Sequence, residues 1–167
     1  MGATREKDFW VATAILIVTV SVMAAIILHW VRIGFFVGPF RLNHWFVWIG
    51  TIYIALIVPI IAFLKKRFPK RYAALYRVHV FGNLLAFMLI SFHFASQISR
   101  PANSYPELGT GIVLYTAMVL LVGTGFMQNF QLVPRIKPQS WRFVHMGAAV
   151  ALLLTIIVHI LRGLSII

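Results

Sequence analysis

Four histidines recur at one spacing in two apolar stretches of the chain. His79 and His93 are fourteen residues apart in one stretch, and His145 and His159 are fourteen residues apart in the other. Fourteen residues are two heptads, so in a bundle of near-parallel helices both members of a pair face the same neighbour. At about 1.5 Å per residue, the two are about 21 Å apart along the axis. Each pair therefore places one imidazole near each side of a hydrocarbon core about 30 Å thick.

Imidazoles at membrane depth are costly, and each one is a functional-site hypothesis by default. A single histidine there can also serve only to hydrogen-bond across a helix interface. Two helices with matched spacing can instead hold two haems, one above the other, each iron taking one histidine from each helix. Zinc would need three or four ligands within about 2.1 Å of one point, which histidines at two levels about 21 Å apart do not provide. Chlorophyll sites need one histidine each and no paired spacing. The pattern therefore predicts two haem b groups.

Composition assigns the chain to the membrane proteins. Of its 167 residues 61% are hydrophobic and 11% are charged, which is outside the range of soluble domains. The chain has no cysteine, which excludes disulfides, thiolate-bound iron–sulfur clusters and covalent haem attachment. A net charge of +12 would suggest nucleic acid in a soluble protein, but here the basic residues lie between apolar spans. We assign them to topology and membrane lipid head groups, not to nucleic acid.

Five transmembrane helices are expected in a single all-α integral membrane domain, 1–167. The predicted helices are Phe9–His29, His44–Leu64, Tyr72–Ile98, Leu108–Phe130 and Trp141–Leu161. Pro59 lies inside the second helix and is expected to kink it. The apolar connection Val31–Asn43 is expected to lie in the membrane interface. Helices 2–5 should form a four-helix haem-binding bundle, with its core in residues 72–163, and helix 1 is an N-terminal addition.

The basic residues predict how the helices cross the membrane. Eleven lysines and arginines fall on the side of the N-terminus, and four fall on the other side. The positive-inside rule then puts the N-terminus in the cytoplasm and the C-terminus outside, most simply in a cell membrane. Helices 3 and 5 consequently run in the same direction. His79 and His145 should share an inner haem, and His93 and His159 should share an outer haem.

Glycines on the fourth predicted helix repeat the same interval. Gly111 and Gly125 are fourteen residues apart, and so are Gly109 and Gly123. A helix that crosses the edge of a flat porphyrin needs residues without side chains there, so Gly111 and Gly125 are candidate haem contacts. The alternative is that small residues simply allow membrane helices to pack closely.

Several polar residues near the histidine levels are further candidates. Arg77 and Arg142 flank the inner histidines, and Arg162 follows the last outer histidine. Haem propionates are carboxylates and favour such partners, although ordinary interface anchoring would also explain these arginines. His29 and His44 lie on the outer side, where they are candidates for a proton path, a quinone contact or a metal pair. Interface histidines without a special role are the alternative.

Four short segments carry a resemblance to a known family. They are R-V-H-V-F-G-N at Arg77–Asn83, S-F-H-F at Ser91–Phe94, W-R-F-V-H-M-G at Trp141–Gly147 and V-H-I-L-R-G at Val158–Gly163. With the spacing on both helices and the glycines between them, this core resembles that of the di-haem cytochrome b of quinol–cytochrome c reductases. The resemblance implies that His79, His93, His145 and His159 are axial ligands and, more weakly, that Gly111 and Gly125 contact haem.

A second comparison concerns where the histidines fall in the chain. Their place on helices 3 and 5 is similar to the ferric reductase and NADPH oxidase membrane domain. The chain departs from both families. Its second helix has only Gly50 of the spaced glycines, and no clear quinol motif is found (Tyr105-Pro106-Glu107 is too short). Neither a sixth helix nor a flavin or nicotinamide domain is expected within these 167 residues.

Three functions are compatible with these residues. The first is an electron-transfer subunit of a membrane redox complex. The second is a stand-alone transmembrane oxidoreductase, of the ferric reductase kind, that is driven by quinol or a cytosolic reductant. The third is a haem-free structural or pigment-binding subunit. The first two require partners outside the membrane helices, such as other redox subunits, and a quinone is a further candidate cofactor. Catalytic residues are not assigned, because iron with two protein ligands relays electrons and does not bind substrate.

Overall fold

The protein is helical throughout most of its length. The computed structural model describes residues 3–101 and 109–163. The helices are α1 (Ala3–Ile27), α2 (Leu42–Ile52), α3 (Val58–Arg67), α4 (Tyr72–Ile98), α5 (Gly109–Phe130) and α6 (Pro138–Gly163). α2 and α3 form one continuous run, so five helical runs are long and apolar enough to cross a membrane. The all-α class is thereby confirmed. By its internal contacts the chain divides into two compact units, Met1–Tyr105 and Pro106–Ile167.

The predicted helix ends agree best with the structure where charged residues and turn residues flank an apolar run. The third predicted helix is confirmed at both ends, because a basic segment with Pro69 precedes it. α6 begins at Pro138, three residues before the predicted start, since proline is well tolerated in the first turn of a helix. α1 begins six residues earlier than predicted and takes in the charged N-terminal residues. Leu108, the predicted start of the fourth helix, and Tyr105-Pro106-Glu107 lie outside the described residues.

The second helical run contains a π turn, Tyr53–Ile57, between α2 and α3. Pro59 has no N–H to donate to the carbonyl of Ala55, so the regular hydrogen-bond ladder is interrupted there. The Val58 N–H donates instead to the carbonyl of Tyr53, five residues back. The disturbance expected at Pro59 therefore takes the form of a widened turn immediately before the proline.

A two-stranded hairpin, which the sequence analysis did not predict, joins α1 to α2. Its antiparallel strands are β1 (Phe36–Val37) and β2 (Phe40–Arg41), with Phe36 opposite Arg41 and Val37 opposite Phe40. The turn uses Gly38 at φ 63°, a conformation that glycine adopts without steric cost. The indole Nε1–H of Trp45 donates to the carbonyl of Val37 at 2.8 Å, which ties the hairpin to α2. All four strand residues are exposed.

α4 is the central helix of the first unit and packs against α1 on one side and against the α2–α3 run on the other. The buried residues of α1 that recur every seventh position are Ala12, Thr19 and Ile26. Such a narrow seam of small and apolar residues suits close packing of two nearly parallel helices. At the far end of this contact, Ile26 and Ala95 belong to one buried apolar cluster.

The direction of each helix in the first unit follows from contacts between the helix ends. Asp8 near the start of α1 pairs with Arg77 near the start of α4, so α1 and α4 run parallel. Asn43 at the start of α2 meets His93 near the end of α4, so α2 runs antiparallel to α4. This alternation is the one expected of three successive crossings of the same layer.

Candidate functional site

The four predicted ligands all lie within long helices and are all half-buried. His79 and His93 are on α4 in the first unit, and His145 and His159 are on α6 in the second unit. Both members of each pair therefore lie on one continuous α-helix, as the fourteen-residue spacing assumes. The pairing of an α4 histidine with an α6 histidine stays a prediction.

In the second unit His145 lies against the backbone of α5. Its Nδ1 is 3.2 Å from the hydroxyl oxygen of Thr124. A Cβ built on the neighbouring Gly125 would be 3.0 Å from the His145 Cε1, tighter than an ordinary van der Waals contact. The absence of a side chain at Gly125 is thus what allows the imidazole to approach α5 so closely.

The same arrangement recurs fourteen residues along each helix. The Nδ1 of His159 is 3.0 Å from the hydroxyl oxygen of Thr110. A Cβ on Gly111 would lie 3.7 Å from the His159 Cε1, which is an ordinary contact distance. Because His145 meets Thr124 and His159 meets Thr110, α5 and α6 are antiparallel and in constant register over both levels.

Of the two glycines predicted as haem contacts, Gly125 makes room for an imidazole ring, and Gly111 borders one at an ordinary contact distance. Gly125 and Gly111 face the histidines, whereas an added Cβ on Gly109 or Gly123 meets no atom within 4 Å. Contact between Gly111 or Gly125 and a porphyrin stays a prediction.

Sequence reasoning missed the two threonines that contact the histidines. The sequence reads Gly-Thr-Gly at 109–111 and again at 123–125, with the same interval as the histidines. The identical central residue was the signal that could have identified Thr110 and Thr124 as members of the site.

In the first unit the backbone of α2 holds His93. The His93 Nδ1 lies 3.1 Å from the carbonyl oxygen of Asn43, and a carbonyl can only accept a hydrogen bond. Nδ1 therefore carries the proton, which leaves the ring lone pair on Nε2. This is the tautomer in which a neutral imidazole binds a metal through Nε2. Asn43 is itself buried, and its Nδ2 donates to the Ser96 hydroxyl at 3.3 Å.

The surroundings of His79 are different. The Nδ2 of Asn83, one turn along α4, is 3.4 Å from both ring nitrogens of His79. Next to His79, the carbonyl of Val78 accepts a hydrogen bond from the Tyr53 hydroxyl at 2.7 Å. Tyr53 is the first residue of the π turn, and its ring fills the space that a side chain at Gly82 would need. The π turn of the second run thus lies close to the level of His79.

The three arginines predicted to bind propionates are placed differently from one another. Arg77 forms a two-pronged ion pair with Asp8 of α1, in which its Nε and Nη2 donate to the two carboxylate oxygens at 3.0 and 2.9 Å. Part of that guanidinium is therefore already engaged within the first unit. Arg142 and Arg162 are exposed. A propionate contact stays a prediction for all three.

The two remaining histidines have different surroundings. The rings of His44 and His93 have centroids 6.0 Å apart and are inclined by 49°, so His44 lies beside a predicted ligand. His29 is exposed just beyond the end of α1 and has a positive φ of 61°. A special role for either histidine stays a prediction.

Among residues 3–101 and 109–163, no three or more histidine, cysteine, aspartate or glutamate side chains gather in a group that could hold a metal ion. Haem iron needs only two protein ligands, since the porphyrin supplies four nitrogens. The four helical histidines offer single half-buried imidazoles, and ligation of such an iron by them stays a prediction.

No protein-family model matches the chain, and neither do any curated protein or any solved structure. The resemblance to the cytochromes b therefore rests on the four quoted segments and on the spacing of the histidines.

Proposed function

We propose that this chain is a di-haem b-type cytochrome that relays electrons across a membrane as the membrane subunit of a redox complex. One observation carries the proposal. On the α5–α6 pair, an imidazole, a threonine hydroxyl and a glycine meet at one level, and the same three groups meet again fourteen residues along. A histidine that served only for packing would not require its polar partner and its cleft to be repeated at a second depth.

The residues that would hold the two haems are the four helical histidines. His79 and His145 would ligate the inner iron, and His93 and His159 the outer iron. The bound haems would supply one-electron chemistry between ferric and ferrous iron. The chain would contribute the ligating nitrogens, the hydrogen bonds that orient the rings, and an apolar surrounding that keeps water away. With two protein ligands on each iron, no coordination position remains for oxygen or another substrate.

The membrane setting supports the same proposal. Five helices have the length and composition of membrane spans, and the two histidine levels on each helix are separated by about two-thirds of a hydrocarbon core. We place the N-terminus on the cytoplasmic side because most basic residues fall on that side. Electrons would enter from one side and leave on the other, through partners of which quinol and a further redox subunit are the leading candidates.

The test is a haem count on the purified full-length chain. Protein produced in haem-replete cells should give a pyridine haemochrome spectrum of haem b at two haems per chain. His145→Ala should lose one of the two, because it removes an axial ligand. His29→Ala is the matched control and should keep both, since His29 is exposed and lies outside the proposed site. A wild-type chain without haem b bands, or a His145→Ala chain that keeps both haems, would refute the proposal.

A further inference from the structure

We propose that Thr124 and Thr110 are positioning residues that determine which nitrogen of His145 and His159 is available to iron and that lower the reduction potential of each haem. This inference rests on the proposed function. It adds an assignment that neither histidine spacing nor the family resemblance contains, because the threonines act on the ring nitrogen that points away from iron.

The hydrogen bonds of Thr124 fix the direction of its contact with His145. The Thr124 hydroxyl has a single proton, and its oxygen lies 2.8 Å from the Leu120 carbonyl and 3.0 Å from the Leu121 carbonyl. Both carbonyls can only accept, so the proton is donated back to the α5 backbone. The hydroxyl oxygen then meets the His145 Nδ1, 3.2 Å away, as an acceptor. With the Thr124 oxygen as acceptor, His145 carries its proton on Nδ1 and has its lone pair on Nε2.

Thr110 occupies the equivalent position at the other level. It contacts the His159 Nδ1 at 3.0 Å and is likewise flanked by two glycines, and we assign it the acceptor role of Thr124 from this equivalent position in the repeat. Beside Thr124, Gly125 lets the ring approach the helix closely, and beside Thr110, Gly111 borders the ring at an ordinary contact distance. Each Gly-Thr-Gly segment therefore combines two tasks: the glycine admits the imidazole, and the threonine orients it.

An acceptor on Nδ1–H makes the imidazole a more basic ligand. A more basic axial ligand stabilises ferric iron more than ferrous iron, so the reduction potential falls. On α4 the comparable contact of His93 is to the backbone carbonyl of Asn43, which no side-chain substitution removes. Thr124 and Thr110 are consequently side chains through which the sequence can adjust the potential of each haem independently.

The experiment compares Thr124→Val and Thr110→Val with Thr155→Val in the haem-loaded full-length chain. Valine has nearly the shape of threonine without the hydroxyl. Thr155 is the matched control because it lies on α6 and its hydroxyl donates to the Ala151 carbonyl at 2.8 Å. Redox titration should show one component raised in Thr124→Val, the other raised in Thr110→Val, and neither moved in Thr155→Val. Each tenfold loss of ferric-state preference corresponds to about 59 mV for a one-electron couple.

Two further variants distinguish loss of the hydrogen bond to the imidazole from a general loss of packing. Thr124→Ser and Thr110→Ser restore the hydroxyl and should return the potentials towards wild type, whereas loss of packing alone would not be rescued selectively. The electron paramagnetic resonance g-values of the ferric haems should shift with the same variants, because they report the basicity of the axial imidazoles. If haem is bound but both valine variants behave like Thr155→Val, this inference is overturned while the proposed function stands. If the wild-type chain binds no haem, the proposed function itself has failed.

Discussion

Gly125→Ala should destabilise the second unit through a steric clash with His145 that Gly123→Ala does not cause. Both glycines flank Thr124 in the same helix, so both substitutions gain the same helix propensity, up to about 1 kcal/mol. A Cβ at Gly123 meets no atom within 4 Å, whereas a Cβ at Gly125 would be 3.0 Å from the His145 Cε1. The imidazole must then move by a few tenths of an ångström, and such overpacking costs about 1–3 kcal/mol.

The difference between the two variants isolates that cost, because the propensity gain cancels. We expect Gly125→Ala to be less stable than Gly123→Ala by about 1–3 kcal/mol. The assay is unfolding of the purified full-length chain in detergent, followed by circular dichroism, with haem content measured in parallel. Gly125→Ala should also lose haem preferentially from one level. Equal stability and equal haem content in the two variants would show that His145 does not lie against Gly125.

Three smaller effects follow from other contacts. Gly111→Ala should be within about 1 kcal/mol of the wild-type stability, because its Cβ would keep an ordinary 3.7 Å contact; a loss as large as that of Gly125→Ala would contradict the placement of α5. Tyr53→Phe removes the 2.7 Å hydrogen bond to the Val78 carbonyl and should lower the unfolding free energy by about 0.5–1.5 kcal/mol, measured in the same assay. Asp8→Asn should cost at most about 1 kcal/mol, since the side chains of Asp8 and Arg77 are 27% and 49% exposed, and the difference from wild type should shrink as salt is added.

Most of the helical fold could be predicted from the sequence because apolar runs of membrane length are separated by charge and turn residues. α4 was predicted at both ends since the basic run before Tyr72 and the polar residues after Ile98 bound it clearly. The hairpin at Phe36–Arg41 was missed because its strands are two residues long and too short for an alternating pattern. The π turn was anticipated only as a disturbance at Pro59, since proline predicts a broken ladder without specifying how the chain resolves it.

The candidate site was predictable in its spacing but not in its polar partners. The spacing of the histidines along the chain is visible in the sequence and requires no knowledge of tertiary contacts. The acceptor for His93 is a backbone carbonyl on another helix, and every residue has one, so no sequence pattern distinguishes Asn43. The same holds for the ion pair of Arg77 with Asp8, which depends on α1 lying beside α4. Thr110 and Thr124 differ from these partners, because the repeated Gly-Thr-Gly segment is visible in the sequence and could have identified them.

The pairing of the histidines tests the account most directly. Redox titration of the wild-type chain should resolve two haem b components, and each histidine-to-alanine variant should lose one of them. We expect His79→Ala and His145→Ala to lose the same component, and His93→Ala and His159→Ala to lose the other. Loss of one shared component by His79→Ala and His159→Ala, or a titration without any haem b component, would contradict it.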